Sequence, residues 1–346
     1  MDVVSDAITA LRVGRPLASR VRVHGAWSRR FAAYGGAGFH VVLEGGCWLL
    51  PDSGPPITMV AGDVVLLPRG SAHVLADAPL DRRAAQRAVL FEPRRDGGGG
   101  PAGPVGAAAP AAGAPEVAEL LCGKYRLDRT RTHPLLADLP DVVHFPARVG
   151  RHPEIRAAID LLGRETDPAR LGAGIALPGL LDLLLVYLVR AWLEEDRTGR
   201  TAGWSVALSD PVVAVALRAL HDDPSRPWTT SSLSAAAGVS RATLARRFTA
   251  LLGRPPMAYL TWWRMTRAAV LLRDPGSSLD RVAREVGYSS AFAFSHAFKR
   301  TFGRTPGRYR TETATHPAPP DQGPAPEPAA PAGRPGLRAS DAAAAR

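Results

Sequence analysis

The sequence predicts an α+β protein: a small N-terminal β-barrel or sandwich with appended helices, followed by an all-α C-terminal domain with two helix-turn-helix units. Short strand-like segments separated by Gly, Pro and Asp clusters fill the chain before residue 96. From residue 154 the apolar residues recur with a helical period. One helix–glycine–helix pattern then occurs twice within residues 211–310. These three observations define the fold class.

Changes in composition divide the chain into segments. Residues 1–150 form the predicted barrel domain, interrupted at 96–115 by a Gly-, Pro- and Ala-rich insertion that we expect to be flexible. Residues 151–200 form a helical segment, and residues 210–310 form the double helix-turn-helix domain. Residues 311–346 are rich in Pro and Ala, and we expect them to be disordered.

Within the barrel domain we expect four evenly spaced strands, and strand-like sequence resumes after the insertion. The predicted strands are Phe39–Leu43, Cys47–Leu50, Ile57–Val60, Val64–Leu67, Leu120–Leu127 and Val142–Phe145. In the helical segment Ile155, Ile159 and Leu162 share one helix face, and Pro178 opens a second apolar helix. This helix pair either packs on the barrel or forms a homodimer interface.

The positive charge of the chain is concentrated in one block. The protein has 346 residues, a net charge of +11 and a pI near 10.6. Residues 210–310 hold 16 Lys and Arg against 6 Asp and Glu, whereas the rest of the chain holds 27 against 26. A uniformly arginine-rich composition would spread the excess evenly. We therefore expect the C-terminal domain to bind a polyanion.

Other sequence features bear on compartment and catalysis. Two cysteines are too few for a disulfide framework, and the N-terminus lacks the basic segment of a signal peptide. The longest apolar run is interrupted by Pro178, Asp182 and Arg190, so we expect no membrane span. No nucleophile elbow, phosphate-binding glycine loop or dinucleotide fingerprint occurs. These features indicate a cytoplasmic protein that is not an enzyme.

The first helix-turn-helix unit begins with a short Ala-rich helix that ends at Gly238. This residue permits a left-handed turn because it has no Cβ atom. Ser240 is then expected to cap a second helix that buries Leu244 and Phe248, which are four residues apart. A second copy of the pattern starts 49 residues after the first, at Ser278. Two copies of the pattern in the basic block are much stronger evidence for helix-turn-helix units than a single copy would be.

The helix after the second turn carries four phenylalanines. Three of them recur every four residues, which predicts a buried stripe: Phe294, Phe298 and Phe302. The opposite side of the same helix carries Phe292, Ala293 and His296. The helix is therefore expected to have a buried face and a contact face.

The basic block resembles the DNA-binding domain of AraC/XylS-type transcription regulators. The shared positions are Leu233, Gly238, Ser240, Phe248, Gly253, Pro256, Tyr259-Leu260, Trp263-Arg264-Met265, Ala268, Leu271-Leu272, Val282-Ala283, Val286-Gly287-Tyr288, Phe294, Ala297-Phe298-Lys299-Arg300, Gly303, Pro306 and Tyr309-Arg310. The resemblance implies two recognition helices that enter successive major-groove segments of double-stranded promoter DNA, joined by a helix from about Pro256 to Leu272. It also favours an activator, for which RNA polymerase is a candidate partner.

The resemblance and the helical phase together select the candidate DNA contacts: Ser240, Arg241, Ala242, Ala245, Arg246, Arg247, Ser290, Phe292, Ala293, His296 and Lys299. Arg246 is suited to bidentate contact with guanine. Four cations are candidates for phosphate contacts: Arg247, Arg264, Arg267 and Lys299. Phe292 either touches a thymine methyl group or packs against a neighbouring helix. His296 stands where the family often has arginine, so its phosphate contact should be weaker and pH-dependent.

Residues 62–73, GDVVLLPRGSAH, resemble the second sequence motif of the cupin family. The resemblance implies a β-barrel in which His73 points inward as a metal ligand. The first cupin motif is partial: His40 and Glu44 match it, but Gly38 stands where its first histidine belongs. This loss counts against an enzymatic metal centre. Nearby sequence also resembles the sensor domain of cupin-containing AraC-type regulators.

Imidazole and thiolate side chains inside a barrel suit zinc or another divalent metal. The candidate ligands are His24, His40, His73 and Cys122, and the candidate redox thiols are Cys47 and Cys122. Three interpretations stay open: a metal site, thiol redox sensing, or buried hydrogen-bonded histidines with the cysteines as small apolar residues.

The sequence thus predicts a sequence-specific DNA-binding transcription regulator whose cupin-like domain senses a small-molecule effector, a metal or a redox state. One alternative is a metal-dependent cupin enzyme fused to a DNA-binding module, which the missing first-motif histidine disfavours. Another is a dimerising regulator whose cupin domain binds no ligand.

Overall fold

A computed structural model describes residues 2–11, 14–91, 116–127, 133–148, 150–165, 170–196 and 201–315. The predicted insertion at 96–115 lies outside the described residues. The strands are β1 (Leu17–His24), β2 (Ser28–Phe31), β3 (Gly36–Pro51), β4 (Ile57–Val60), β5 (Val64–Leu67), β6 (His73–Ala76), β7 (Val89–Leu90), β8 (Glu116–Arg126) and β9 (Val143–Phe145). The helices are α1 (Val3–Leu11), α2 (Arg82–Gln86), α3 (Pro134–Ala137), α4 (Pro153–Glu165), α5 (Ala173–Glu195), α6 (Trp204–Ala207), α7 (Val213–Asp222), α8 (Thr230–Ala236), α9 (Arg241–Leu252), α10 (Pro256–Leu271), α11 (Leu279–Glu285), α12 (Ala291–Phe302) and α13 (Pro306–Thr315).

The described strands form one mixed sheet that curls into a half-barrel. Its main path runs β1-β8-β3-β6-β2-β7, while β4 and β5 pair with β3, and β9 pairs with β5. Among the described strands every pair is antiparallel except β2 with β7. The α+β fold class predicted from the sequence is confirmed.

Two predicted strands, Phe39–Leu43 and Cys47–Leu50, are joined in the structure into the single strand β3. A bulge between Val42 and Glu44 and a left-handed Gly45 (φ 71°) bend this strand without ending its ladder. Its first half pairs with β5 and β8, and its second half pairs with β4 and β6. The glycines that indicated a turn in the sequence therefore form a corner of the barrel.

The sheet separates two apolar cores because successive side chains of a strand point to opposite faces. On β3, Val42 and Cys47 belong to a core inside the barrel, together with Met59 and Val65. Phe39 and its neighbours on the other face belong to a larger core that continues into the helices.

Helix α5 covers the larger core with its buried leucines: Leu181, Leu184, Leu185 and Leu188. It starts earlier than the predicted start at Pro178, because Gly172 adopts a left-handed conformation (φ 82°) and the helix begins directly after it. By length and composition alone α5 could also cross a membrane, a property that core helices of non-membrane proteins share. The opposite face of α5 exposes Ile175 and Leu183. Packing on the barrel, one of the two alternatives for this helix, therefore accounts for only one of its faces.

The C-terminal region contains the two predicted helix-turn-helix units, α8–α9 and α11–α12. Helix α10 joins them and corresponds to the joining helix predicted from about Pro256 to Leu272. One prediction is wrong in detail, since α13 continues through Thr315 into the segment 311–346 that was expected to be disordered. Glu312 stabilises this extra turn by accepting a hydrogen bond from Arg308 at 2.7 Å and by pairing with Arg304.

Candidate DNA-binding surface and barrel site

The two recognition helices, α9 and α12, begin with the same local geometry. Ser240 and Ser290 both have extended backbone, and each side chain accepts a hydrogen bond from an amide three residues later, at Thr243 or Ala293, over 3.2 Å. These bonds satisfy amide groups that a helix start otherwise leaves without partners. Both serines, predicted as DNA contacts, therefore also serve as helix caps.

Helix α9 divides into a buried and an exposed face. Leu244 and Phe248 are fully buried, as predicted. The exposed face carries the candidate contacts Arg241, Ala242, Arg246 and Arg247, with Ala245 partly buried beside them. No acidic residue occurs in α9. An exposed basic helix face of this kind suits the major groove of DNA.

Arg247 differs from the other candidates because it has a partner within the protein. Its Nη1 atom lies 3.5 Å from Asp210 Oδ2, and its side chain is 45% exposed. Exposed ion pairs contribute little to stability. The ion pair with Asp210 therefore binds Arg247 only weakly, and a phosphate contact of Arg247 stays a prediction.

Helix α12 shows the same division into two faces. Phe294 and Phe298 are fully buried, whereas Phe302 is only partly buried and lies against Phe298 with tilted rings whose centroids are 4.5 Å apart. Phe292 is 84% exposed, so the alternative in which it packs against a neighbouring helix is wrong for this structure. The other candidates on this face are also exposed: Ala293, His296 and Lys299.

The first helix-turn-helix unit shares the larger core with the barrel domain, whereas the second does not. Leu233, Phe248 and Trp263 belong to the same cluster as Phe39 of the barrel. The second unit has its own cluster, centred on Phe294 and residues packed against it. The barrel domain is therefore attached to one recognition helix by continuous packing.

A buried polar chain crosses the boundary between the N-terminal helix and the first unit. His221 Nδ1 lies 2.8 Å from Asp6 Oδ2, and His221 Nε2 lies 2.7 Å from the Tyr259 hydroxyl. The His221 ring stacks on Trp263 with centroids 4.5 Å apart. The sequence analysis did not predict this hydrogen-bond network, because its residues are far apart in the sequence. The one local signal is an acidic residue within an apolar helix, at Asp6.

Helix α6 lies between the helical segment (151–200) and the double helix-turn-helix domain (210–310), and hydrogen bonds connect it and the preceding residue to both. The Trp204 amide donates to Asp138 Oδ2 at 3.1 Å, and Ser205 Oγ donates to Asp196 at 2.8 Å. Directly before α6, the Gly203 amide donates to the carbonyl of Leu251 in α9 at 3.1 Å. These bonds connect the barrel-side helices to the end of the first recognition helix.

Inside the barrel the structure brings together two of the predicted ligands, His40 and His73. Their Nε2 atoms are 2.7 Å apart, and both residues are buried. The Phe31 ring stacks on His73 and meets His40 edge-on, each at 4.8 Å. Burial lowers the pKa of His73 to about 4, and burial next to His73 holds the pKa of His40 well below its usual range. Both imidazoles are therefore neutral at pH 7.

The hydrogen bonds fix which nitrogen of each imidazole carries the proton. His73 Nδ1 lies 2.8 Å from the Ser71 carbonyl, which only an N–H can satisfy. His73 Nε2 is then the acceptor, and His40 Nε2–H donates to it. This leaves His40 Nδ1 as a bare acceptor, buried without a hydrogen-bond partner among the described residues.

The other predicted metal ligands do not complete a site. Across the part of the chain that the structure describes, no group of three or more His, Cys, Asp and Glu side chains is placed to hold one ion. His24 lies at the end of β1 opposite Glu116, away from the imidazole pair in the strand register. At Gly38, where the family has a histidine, a Cβ atom would lie 2.7 Å from the Tyr34 hydroxyl. Two imidazoles alone do not fit a zinc centre, and a zinc site stays a prediction.

The cysteines lie in the barrel core. Cys122 is opposite His40 in the β3–β8 register, and both cysteines are buried. Burial raises the pKa of the Cys47 thiol to about 12 and also raises that of Cys122. Because the thiolate is the reactive form, such thiols react slowly at pH 7. Redox sensing therefore has no support from the geometry.

Comparison with known proteins agrees with the two-part architecture. A family model described as a cupin matches residues 2–194, and a model described as a helix-turn-helix domain matches residues 233–312. An AraC-like transcription regulator of Streptomyces lividans is 35% identical over 85% of this chain and 93% of its own length. The regulator AlkR of Acinetobacter baylyi is 28% identical over 90% of this chain and all of its own length. A solved AraC-type DNA-binding domain from Chromobacterium violaceum is 29% identical over 32% of this chain and 96% of its own, with a TM-score of 0.29.

These relatives are named as transcription regulators, and none of the comparisons supports the alternative of a cupin enzyme. The helix-turn-helix match starts within α8 and continues through α9, the joining helix, α11 and α12. The cupin match covers the half-barrel and the helices α4 and α5. The chain therefore belongs to the AraC-like transcription regulators, with an N-terminal cupin domain and a C-terminal DNA-binding domain.

Proposed function

We propose that this regulator activates transcription by binding promoter DNA with both recognition helices while its barrel binds a small effector. The observation that supports this proposal most directly is the pair of capped recognition helices, each with an exposed face and without acidic residues. RNA polymerase is the proposed partner at the promoter. The proposed compartment is the cytoplasm, where a bacterial-type regulator meets its promoters.

Genome-wide mapping of bound sites in the host, combined with transcript levels after deletion of the gene, tests this proposal. We expect the bound sites to lie upstream of promoters and the neighbouring transcripts to decrease on deletion. Increased transcripts would identify a repressor instead. An absence of enriched sites would overturn the proposal as a whole.

The effector proposal rests on the imidazole pair in the barrel. Among the described residues His40 Nδ1 is an acceptor without a partner, and the His40 ring lies against Phe31, which packs on the apolar barrel core. A buried polar atom of this kind is costly unless a ligand or water satisfies it. We therefore propose a small, largely apolar effector that carries one hydrogen-bond donor.

Metal analysis and ligand screening separate the interpretations of this pair. If zinc is bound, purified protein will contain about one equivalent that His73→Ala loses, because an imidazole ligand is removed. If an effector is bound, compounds that raise the melting temperature of the wild type will fail to do so with His40→Leu, which removes the acceptor but keeps the apolar volume. If neither result is obtained, the barrel has only a structural role.

A homodimer is proposed on the exposed face of α4 and α5. Only 28% of the most apolar stretch of α5 is buried, and Ile175 is 84% exposed. A shallow groove of about 350 Å³ between the two helices is lined by apolar side chains that include Leu161, Leu183 and Tyr187. Large exposed apolar patches typically mark interaction surfaces.

Sedimentation of two matched variants tests this interface. Leu183→Glu places a charge in the groove and should convert a dimer into a monomer. Val215→Glu is the control, because Val215 on α7 has nearly the same exposure, 38% against 39% for Leu183. A wild-type monomer, or a dimer that survives Leu183→Glu, would exclude this interface.

A further inference from the structure

Three segments meet where the two helix-turn-helix units touch each other. They are the loop Asp223–Arg226 before α8, Arg264 in the middle of α10, and the turn Gly287–Tyr288 between α11 and α12. We refer to this contact as the inter-unit joint. It connects the first unit, the joining helix and the second unit at one point.

Arg264 holds the loop of the first unit through its guanidinium group. Nε donates to the Pro224 carbonyl at 2.7 Å, and Nη2 donates to the Arg226 carbonyl at 2.8 Å. The guanidinium carbon also lies 5.9 Å from the centroid of the Tyr288 ring, which belongs to the second unit. Burial lowers the pKa of Arg264 from its ordinary value. The guanidinium group of Arg264 thus contacts both the first and the second helix-turn-helix unit.

The loop that Arg264 holds is ordered by its own hydrogen bonds. Asp223 Oδ1 accepts from the Ser225 amide at 3.2 Å and from the Arg226 amide at 3.1 Å. Trp228 Nε1 donates to the Asp223 carbonyl at 2.9 Å. Since the loop is fixed in this way, a contact made to it also fixes the position of the first unit.

Gly287 allows the second unit to approach the joint closely. A Cβ atom on Gly287 would lie 2.5 Å from the Ser225 carbonyl oxygen and 2.8 Å from Arg264 Nη2. The corresponding glycine of the first unit, Gly238, has nearly the same backbone angle, φ 67° against 79°, but nothing within 4 Å of a Cβ atom. Both turns need glycine for the left-handed backbone, and only the second also needs the space.

We propose that Arg264 and Gly287 are positioning residues that set the distance and angle between α9 and α12, and thereby select the spacing between the two half-sites on DNA. The proposal rests on the proposed reading of DNA by both recognition helices. Each added base pair moves a half-site by about 3.4 Å and rotates it by about 35° around the duplex axis. A rigid joint tolerates no such change, whereas a loosened joint does.

The test uses full-length protein and a duplex pool with a randomised segment of about 30 base pairs, from which the wild type selects its two-part site. Binding is then measured on duplexes whose spacer is shortened or lengthened by one base pair. We expect the wild type to lose about ten-fold in affinity for each change, the equivalent of one mismatched base pair. For Arg264→Lys and Gly287→Ala the loss should fall to about three-fold or less, because the two units then move independently.

Matched controls separate positioning from other roles. Arg267→Lys, on the same helix, and Gly238→Ala, with the same backbone strain, should keep the ten-fold discrimination even where overall affinity falls. Arg264→Lys retains the charge, so the salt dependence of binding should stay the same. Arg264→Gln should likewise keep the slope if the side chain does not touch phosphate, and should lower it by about one if it does.

The outcomes are distinguishable. If Arg264→Lys and Gly287→Ala discriminate between spacers as strongly as the wild type, the positioning role is overturned. If Gly287→Ala fails to fold, Arg264→Lys still decides the question. If the wild type selects no sequence at all, the proposal that both recognition helices bind specific DNA is overturned, and this result does not concern the positioning role of Arg264 and Gly287.

Discussion

The two helix-turn-helix units have almost the same local geometry but different surroundings. Each has a left-handed turn glycine, a serine cap and a buried phenylalanine in its recognition helix, at Phe248 or Phe298. The first unit packs into a core that continues through α5 to the barrel, whereas the second has a core of its own. Among the described residues, the barrel is therefore connected to α9 by continuous apolar packing, whereas α12 belongs to a separate core that is connected through α10 and the inter-unit joint.

A difference of one residue accompanies this contrast. The units are offset by 49 residues at the turn glycines and by 50 at the serine caps, so the second turn is one residue longer. The longer turn places Tyr288 edge-on to Phe294 at 6.0 Å and next to Arg264. Tyr288 in the longer turn of the second unit thus contacts Arg264 of the inter-unit joint, and the shorter turn of the first unit has no equivalent aromatic residue.

Removing the carboxylate of Asp6 should give the largest effect and should break the link between barrel domain and first unit. Asp6→Ala leaves His221 buried without its partner, which costs about 3 kcal/mol. In hydrogen exchange, the amides of α8 and α9 should lose protection, while those of α11 and α12 should keep it. Equal loss in both units would show that they share one cooperative core.

The same helix supplies the control for this experiment. Asp2 accepts hydrogen bonds from the Val4 and Ser5 amides at 3.0 Å and caps α1 from the solvent side. Asp2→Ala should therefore cost about 1 kcal/mol, the usual value of an N-cap. Asp6→Asn, which keeps an acceptor for His221 but not the charge, should fall between the two.

Low pH should destabilise the barrel domain and, with it, the first helix-turn-helix unit that packs on it. The pKa of His73 is about 4 in the folded protein, against an ordinary value of 6.5. Between these pH values the unfolded chain binds a proton at His73 that the folded chain does not, so stability falls by about 3 kcal/mol from His73 alone as the pH decreases from 6.5 to 4. Burial also lowers the pKa values of His40 and His133, and these two residues add to the loss.

Urea unfolding at about pH 7 and about pH 4.5 measures the combined loss, and His73→Gln should reduce it by the contribution of His73. Hydrogen exchange at the lower pH should show α8 and α9 opening before α11 and α12. If the second unit opened first, the attachment of the first unit to the barrel would not carry the effect.

The two recognition helices should also differ in how they bind DNA. Arg246→Ala removes the predicted guanine contact of α9, so it should cost about 1–3 kcal/mol and relax the preference for that base pair. Phe292→Ala removes an apolar side chain from α12 and should cost about 1 kcal/mol with no change in salt dependence. Titration of the selected duplex, and of one with that base pair changed, at several salt concentrations measures both effects. A salt effect in Phe292→Ala would contradict the apolar contact.

The sequence predicted most of what depends on local pattern. The strands Ile57–Val60 and Val64–Leu67 and the serine-capped recognition helices follow from turn residues and periodicity. The joining helix was predicted from the family resemblance. The corner at Gly45 was not predicted, because a glycine pair signals a turn and a bulge equally well.

Features that depend on distant partners escaped prediction for a physical reason. The Asp6–His221 contact joins residues 215 positions apart, and no local pattern encodes it. His40 and His73 were placed in the barrel, yet their direct hydrogen bond depends on rotamers that residue type does not fix. Gly287 was recognised as a turn residue, while its close approach to Ser225 follows only from the packing of the two units.

The serine caps provide the smallest and most direct comparison of the units. Ser240→Ala and Ser290→Ala each remove one cap bond of 3.2 Å and should each cost about 1 kcal/mol. Ser240→Ala also removes the 2.9 Å hydrogen bond between Ser240 Oγ and Thr243 Oγ1, so greater fraying in Ser290→Ala would be the more telling result. The consequences should differ, because α9 is also held by the Gly203–Leu251 bond and by the core it shares with the barrel. Hydrogen exchange should therefore show more fraying of α12 in Ser290→Ala than of α9 in Ser240→Ala, with the exposed Ser289→Ala as control. Equal fraying would mean that attachment to the barrel does not stabilise the first recognition helix.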